Sequence, residues 1–508
     1  MKQKILFLCF LVLLPIGNLL AQGEAAYWYF GQNTGLNFSD MQTLNNVTLN
    51  GVTGQVLSGI PKSISGPIYT GEGCFSISDK DGNFLFASDG ITVYNGPSSG
   101  NVMRNGTGLK GHSSAAQSGV VIPRPETTGR FYIVTAPCRA SSPEKEIFYS
   151  EIDFTVTNAQ GRGEVIAAGK NTKLSLTGLS ANQAYENIGA VGNSDGKNFW
   201  LINFSRGYFY VWKITKSGFT YHNRFNSGLD HGAPVGTAAG AGQLKISRDG
   251  RYIGVTAGFK NLVFAHFDNS SGNISSIQTR NFAAFNYAYG VEFSPNSEYL
   301  YIGNYTSYMA SNGTGGGDGI WALPTNNILG ATPRFVVRSP GTTIQLGPDN
   351  RMYTCKHATR NLLIILDPDE GGYQIAEIPN HLTNLPADGL PTFVASFFSA
   401  TDINTNPLVP ACINKEIEFS VQINTGVGIN RATKLSWDFG DGSPVEEESD
   451  MNKYTFSNTH AYAEPGTYTL TLTPYKSDGS ILTDKIKTLE VKISRCLMPV
   501  NPNIHLMN

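Results

Sequence analysis

The chain reads as all-β: a β-propeller, with seven blades favoured over six, followed by a small immunoglobulin-like β-sandwich. Three observations predict this. Gly, Tyr and Phe are abundant, at 56, 23 and 28 of 508 residues, while only 15% of residues are charged. Such a composition suits short strands joined by tight turns. A strand–turn–strand unit recurs along residues 27–399. A different β unit, with its own turn signature, follows it.

The first element is a leader. Lys2 and Lys4 precede an apolar run from Ile5 to Leu14, which Pro15 and Gly17 break before Ala21 and Gln22. This is the layout of a secretory signal peptide, so residues 1–21 are read as removed on export. The run is shorter than the roughly 20 residues of a membrane helix, and no later stretch approaches one. Cys9 lies inside the run rather than at the cleavage point, which argues against a lipid anchor. The chain has 37 Lys and Arg against 39 Asp and Glu. With no basic surplus to neutralise phosphates, nucleic acid is excluded as a partner.

The repeat comes next. Its copies lie at residues 75–86, 190–202, 244–255, 291–302 and 344–353, with a looser one at 120–133. In each, apolar and polar residues alternate on either side of an Asp-Gly turn or a close variant, so one strand face is buried. The pair suits the positive φ of a two-residue hairpin. Further strands follow at 207–214, 262–267 and 361–367. Spacings of about 45 to 70 residues fit one four-stranded blade per copy, with loop insertions. Six copies are visible. A seventh blade is expected from residues 27–31 paired with 391–398, which would close the ring across residues 22–399 and leave no open edge.

Residues 400–411 read as a linker, 412–496 as the sandwich and 497–508 as a tail. The sandwich alternates cleanly at 417–423, 466–473 and 487–493. Trp437, Asp438, Phe439, Gly440, Asp441 and Gly442, with His460 and Tyr462, resemble the signature of the PKD domain. The segments 28–31, 290–295, 345–349 and 389–393 resemble the N-terminal region of exported Bacteroidetes proteins that pair such a region with PKD domains. Members of that family are associated with type IX secretion and gliding motility and usually end in a sorting domain. This sequence stops at Asn508, soon after one PKD domain, so it reads either as a fragment of a longer chain or as a shorter relative retained by another route.

Little in the chain points to catalysis. Gly111, His112 and Ser113 lack the second Gly of a nucleophile elbow and precede a strand rather than a helix. The eight His form no local metal pair. Five Cys remain after the leader, spread singly. Cys412 and Cys496 flank the sandwich, but the ends of such a fold are expected at opposite poles, so no bond is assumed. Asp79, Asp81, Asp195 and Asp249 are read as turn formers. Asp438 and Asp441 are read first as turn formers, with calcium ligation the alternative. No other cofactor is implied. The candidate binding residues are Tyr185, Glu186, Asn187, Tyr287, Tyr289, Tyr305 and Tyr308, whose rings and amides lie near blade loops.

The reading is therefore a non-enzymatic, exported binding or structural protein. The propeller recognises a protein or a surface glycan, and the PKD domain acts as spacer or second contact. The resemblance implies a place on the cell surface or outer membrane, in adhesion or beside the secretion and gliding apparatus. The alternative is a secreted propeller hydrolase or lyase acting on polysaccharide, which needs carboxylates, or Tyr with Arg, converging in the central channel.

Overall fold

The structure, a computed structural model, describes residues 23–495 except 230–239, 257–259, 284, 286, 306–318, 340–342, 357, 399–403, 407–410, 423–432, 450–454, 477, 482 and 484–485. Every regular element among the described residues is a strand or a short 3-10 turn.

The repeats become blades. Six antiparallel sheets run at residues 75–94, 119–165, 189–226, 244–281, 287–337 and 345–378. The first of these has three strands; the others have four in sequence order, one with an added strand at Thr172–Leu174. The first strands of successive sheets lie against one another: Phe75–Ser78 beside Gly119–Pro123, then Gly189–Gly192, Leu244–Ile246, Tyr287–Phe293 and Gln345–Leu346. That is the inner ring of a propeller.

The seventh blade is the N-terminal hairpin. Strand Tyr27–Phe30 pairs with Gln32–Leu49, which pairs with Val52–Tyr69. Tyr27–Phe30 lies beside Phe75–Ser78 on one side, while the Trp28 ring meets Tyr353 of the last blade at 5.6 Å on the other. The far end of Gln32–Leu49 pairs with Ile375–Ile378 through Thr48 and Leu49. We number the blades I–VII from this hairpin.

This corrects the expected closure. Residues 27–31 do not pair with 391–398. Their partner is the next strand, because the sharp reversal at Gly31, with φ 58°, makes a local hairpin available first. The ring is closed by the far end of Gln32–Leu49 on blade VII, and residues 391–398 are left for another task.

The turns also differ from the two-residue form. In each clear copy a β-turn closes first: Gly82 N bonds Asp79 O, Gly196 N bonds Asn193 O, Gly250 N bonds Ser247 O and Ser297 N bonds Ser294 O, all at 2.8–3.0 Å. The strands then close behind it, as in Asp79 N to Asn83 O at 2.8 Å. The extra residue takes positive φ: Gly82 at 80°, Gly196 at 68° and Gly250 at 70°, but also Ser297 at 62° and Asn350 at 61°. Side chains hold these loops. Asp79 Oδ1 accepts from Asp81 N and Asn83 N, and Asp195 Oδ1 from Lys197 N and Asn198 N. The turn reading of these aspartates thus holds, in a longer loop than the hairpin rule gave.

The sandwich has two sheets. One orders Asn404–Asn406, Ile417–Gln422 and Thr455–His460; the other orders Ala411–Cys412, Lys487–Ser494, Gly466–Tyr475, Lys434–Asp438 and Glu446–Glu448. It starts inside the stretch read as a linker, because Asn404–Asn406 covers the open edge of Ile417–Gln422. Ala411 and Cys412 run parallel to Ile493 and Ser494, so the two ends meet instead of lying at opposite poles. Cys412 is disulfide-bonded, to a partner outside the described residues. Cys74, Cys138 and Cys355 are free and buried.

Trp28 is the inner wedge of the closure. It is fully buried, packs on Phe38, Tyr353 and Phe393, and donates its indole N–H to Ala25 O at 2.9 Å. We predict that Trp28→Ala lowers unfolding stability by about 3–5 kcal/mol, measured by urea denaturation. A loss within about 0.5 kcal/mol, typical of surface positions, would contradict this packing.

Candidate binding site

Each inner strand begins at the same end of the ring, and there the polar side chains converge. Gln117, just before blade III, accepts from Ile188 N at 3.2 Å and Leu244 N at 2.8 Å, and donates to Leu244 O at 3.2 Å. One side chain thus laces three blades. Glu186 takes Ala116 N at 3.0 Å and Arg139 N at 2.6 Å on its two oxygens. Gln243 donates its side-chain Nε2 to Ala116 O at 3.4 Å, and its backbone N–H donates to Tyr289 O at 3.1 Å. Nearby, Glu72 N bonds Ser113 O and its carboxylate accepts from Ser114 Oγ.

Two acids are therefore shut in at the channel mouth. Glu186 is 3% exposed and Glu72 9%. Burial, opposed by the Ala116 and Arg139 amides, Cys138 and the Arg139 charge, pushes Glu186 up to about 7. Burial also raises Glu72 well above the usual carboxylate range, with the Glu186 and Asp388 charges adding to it and Tyr289 and Ser114 opposing it. The sequence shows no converging acids, and the structure corrects that: positions 72 and 186 meet only once the ring is closed.

The predicted residues divide. Tyr185 is fully buried, with the Arg139 guanidinium 5.3 Å from its ring. Asn187 is buried and clamps blade IV, exchanging bonds with Phe204 O and N at 3.0 and 2.8 Å. Tyr289 is 3% exposed. These are groups packed between blades, not a ring-stacking surface. Tyr287 is half-buried, with its amide on Asn304 Oδ1 at 3.2 Å. Tyr305 ends strand Tyr299–Tyr305, its side chain outside the described residues. Tyr308 also falls outside them.

Residues 388–398 run down the channel. Asp388 N bonds Gly71 O and Thr392 N bonds Cys74 O at the mouth. At the other end, Ser396 Oγ accepts from Gly192 N at 3.0 Å, and Phe398 O accepts from Arg248 Nη1 at 2.8 Å. Only Gly fits at position 389, where a Cβ would lie 1.8 Å from Glu72 O. Beside this plug, Lys245 Nζ bonds Glu292 Oε2 at 2.9 Å and also Gln345 Oε1, tying blades V, VI and VII. A void of about 20 Å³ lies beside the plug, bounded by Gln117, Glu292, Gln345 and Thr392 among others. That is room for about one water. A larger cavity, about 390 Å³, opens at the opposite, turn-bearing end between blades IV and V.

In the sandwich the signature is a packing unit. Trp437, Phe439 and Tyr462 are buried, and Tyr462 Oη donates to Phe439 O at 3.2 Å. His460 stacks on Phe439 at 4.0 Å and pairs with Asp441 Oδ2 at 2.8 Å. Asp438 Oδ1 accepts from Gly440 N, and Asp441 Oδ1 from Ser443 N; Gly440 and Gly442 take φ of 75° and 82°. Burial raises the Asp441 pKa, but the bonds from Ser443 and His460 outweigh it and hold this carboxyl at about 2. These bonds occupy oxygens that calcium would need. Among the described residues, no group of three or more His, Cys, Asp or Glu is placed to hold a metal.

The strand order and signature define an all-β, two-module protein, a propeller followed by a PKD sandwich. Residues 404–492 match the PKD domain family. No curated protein matches the chain. Similar solved structures include the extracellular domain assigned to a one component system of B. thetaiotaomicron, at 12% identity and TM-score 0.35, covering 92% of this chain and 56% of that one. The chain thus spans just over half that domain's length. Others are the Cps50 (Swd1) β-propeller domain of Myceliophteria thermophila, at 11% identity, 70% and 96% coverage and TM-score 0.35, and the periplasmic gluconolactonase PpgL of Pseudomonas aeruginosa, at 13%, 55% and 90% and 0.30. The propeller assignment rests on the chain's own strand order. Among the described residues no helix is long and apolar enough to cross a membrane.

Glu186 generates a pH prediction. Its folded pKa of about 7 lies above the ordinary value for Glu, about 4.3. Its ionised form is therefore disfavoured in the fold. The stability tied to it is full below about pH 4.3 and is lost as pH rises through about 7. Glu186→Gln should flatten the decline in unfolding free energy between about pH 4.5 and 7. An unchanged slope would contradict the burial argument.

Proposed function

We propose that this chain is an exported, non-enzymatic binding protein of the bacterial surface, with the propeller as recognition platform and the PKD sandwich as spacer or second contact. The observation that carries this reading is the plugged channel. Residues 388–398 fill it, and the void beside them is about 20 Å³. A propeller without an open axis still presents loops from every blade, which suits binding at a face. The leader-like residues 1–21 support export. The segments resembling exported PKD-containing proteins support a partner in adhesion or in the type IX secretion and gliding apparatus.

One observation favours the second reading, a polysaccharide hydrolase or lyase: Glu72 and Glu186 lie together at the channel mouth with Arg139 and Tyr289. A paired acid and base is what glycoside cleavage requires. Against this, both carboxylates are almost without solvent, and both oxygens of Glu186 are spent on backbone amides. They serve better as struts between blades than as groups waiting for substrate.

Purified protein incubated with plant, algal and bacterial polysaccharides decides between the two. We expect no release of reducing or unsaturated ends above the buffer control. Release that disappears in both Glu72→Gln and Glu186→Gln, with folding intact by circular dichroism, would overturn the binding reading.

A further inference from the structure

We infer that the cavity between blades IV and V, on the turn-bearing face, is a binding pocket for a neutral saccharide unit. The inference rests on the binding reading above and deepens it by naming a site and a ligand class.

The pocket is built by the fold. One wall is the end of strand Gly189–Gly192 and its turn, with Asn193, Asn198 and Phe199. The opposite wall is the blade V turn with Arg248 and Asp249, together with Asn269. The floor is the end of the channel plug, Ser396 and Phe397. The plug thus does two things: it closes the axis and supplies a hydroxyl and a ring beneath an open cavity. At about 390 Å³ the space lies within the roughly 300–1,000 Å³ of small-ligand sites. Gly196 at the rim leaves it open, with nothing within 4 Å of a Cβ placed there.

The chemistry selects the ligand. Three amides and a hydroxyl surround two phenyl rings. Rings offer an apolar face to the C–H side of a sugar, and amides can both donate to and accept from its hydroxyls. One amide is waiting: Asn193 is 6% exposed, its Oδ1 accepts from Asp195 N at 3.0 Å, and its buried Nδ2 has no partner. A buried donor without an acceptor is unfavourable, and a turn of this side chain toward the cavity would let a ligand hydroxyl oxygen relieve it.

The charges in the wall are already committed. Arg248 bonds Asn350 Oδ1 and Phe398 O. Asp249 accepts from Ser247 Oγ, Arg251 Nε and Ser297 Oγ. Neither is offered to an ionic ligand, so the pocket suits a neutral polyol over a phosphate or an acidic sugar.

The test uses the full mature chain and calorimetric titration with β-linked gluco-, xylo- and N-acetylglucosamine hexasaccharides, with glucose 6-phosphate as the anionic probe. Asn198→Trp fills the cavity from a half-buried position. Asn269→Ala removes a wall amide without adding bulk, and thermal unfolding of both variants reports folding. We expect at least one neutral hexasaccharide to bind, its Kd to rise about ten-fold or more in both variants, and glucose 6-phosphate not to bind. A ten-fold rise corresponds to about 1.4 kcal/mol. Tight binding of glucose 6-phosphate, or binding of none of the three hexasaccharides, would overturn the inference while leaving the broader reading to the turnover assay. Binding that survives Asn198→Trp but is lost in Tyr287→Ala would also overturn it, by moving the site to the other face.

Discussion

The propeller depends on a contact between chain segments far apart in sequence: the fit of residues 388–398 down the axis, against Trp28 and the starts of the inner strands. Strand pairing joins two blades of the ring, I and VII, through Thr48 and Leu49; among the described residues the other blades share no ladder with their neighbours. The first strands are short, two to seven residues, and they lie against one another without sharing a ladder. What joins them is apolar packing between neighbouring sheets, side-chain chemistry toward the axis and the segment that fills it. Thr392, Ser396 and Phe398 bond the mouth, blade IV and blade V in turn, and Phe393 packs on Trp28 at 5.9 Å. The N-terminal hairpin then locks the circle from outside by pairing with blade VII.

This arrangement explains why so many polar groups are buried or nearly so. Gln117, Glu186, Gln243, Lys245 and Glu292 are spent on the backbone or side chains of neighbouring blades. Buried polar groups of this kind are tolerable only when partnered, and partnered ones set register. Each fixes how one blade sits on the next, which hydrophobic contact alone, being non-directional, would not do. The mouth is tightly laced, and the turn-bearing end keeps an open cavity where the plug emerges.

The fold was legible because its signal is local and repeated. Alternation around Asp-Gly identified the hairpins, and Trp437 through Gly442 with His460 and Tyr462 identified the sandwich. Boundaries and closure were not, because they depend on partners far away. Nothing in the local sequence tells residues 391–398 to fill a channel instead of forming a strand, nor Asn404–Asn406 to cover an edge. The site was least legible. Tyr185 and Tyr289 look like exposed loop aromatics in sequence, yet the ring folds them between blades. Glu72 and Glu186, more than a hundred residues apart, carry no shared motif. Gly389 follows Asp388 and so looks like one more Asp-Gly turn, and its close approach to Glu72 O is invisible in sequence.

The measurement that tests the plug most directly is native-state hydrogen exchange at Thr392 and Gly192, whose amides bond Cys74 O and Ser396 Oγ. If residues 388–398 hold the ring together, both amides exchange only through global opening, with the same free energy as the core strands of blades III–V. Exchange at the rate of a surface loop, with the blade strands still protected, would show that the ring stands without its plug and would contradict the account.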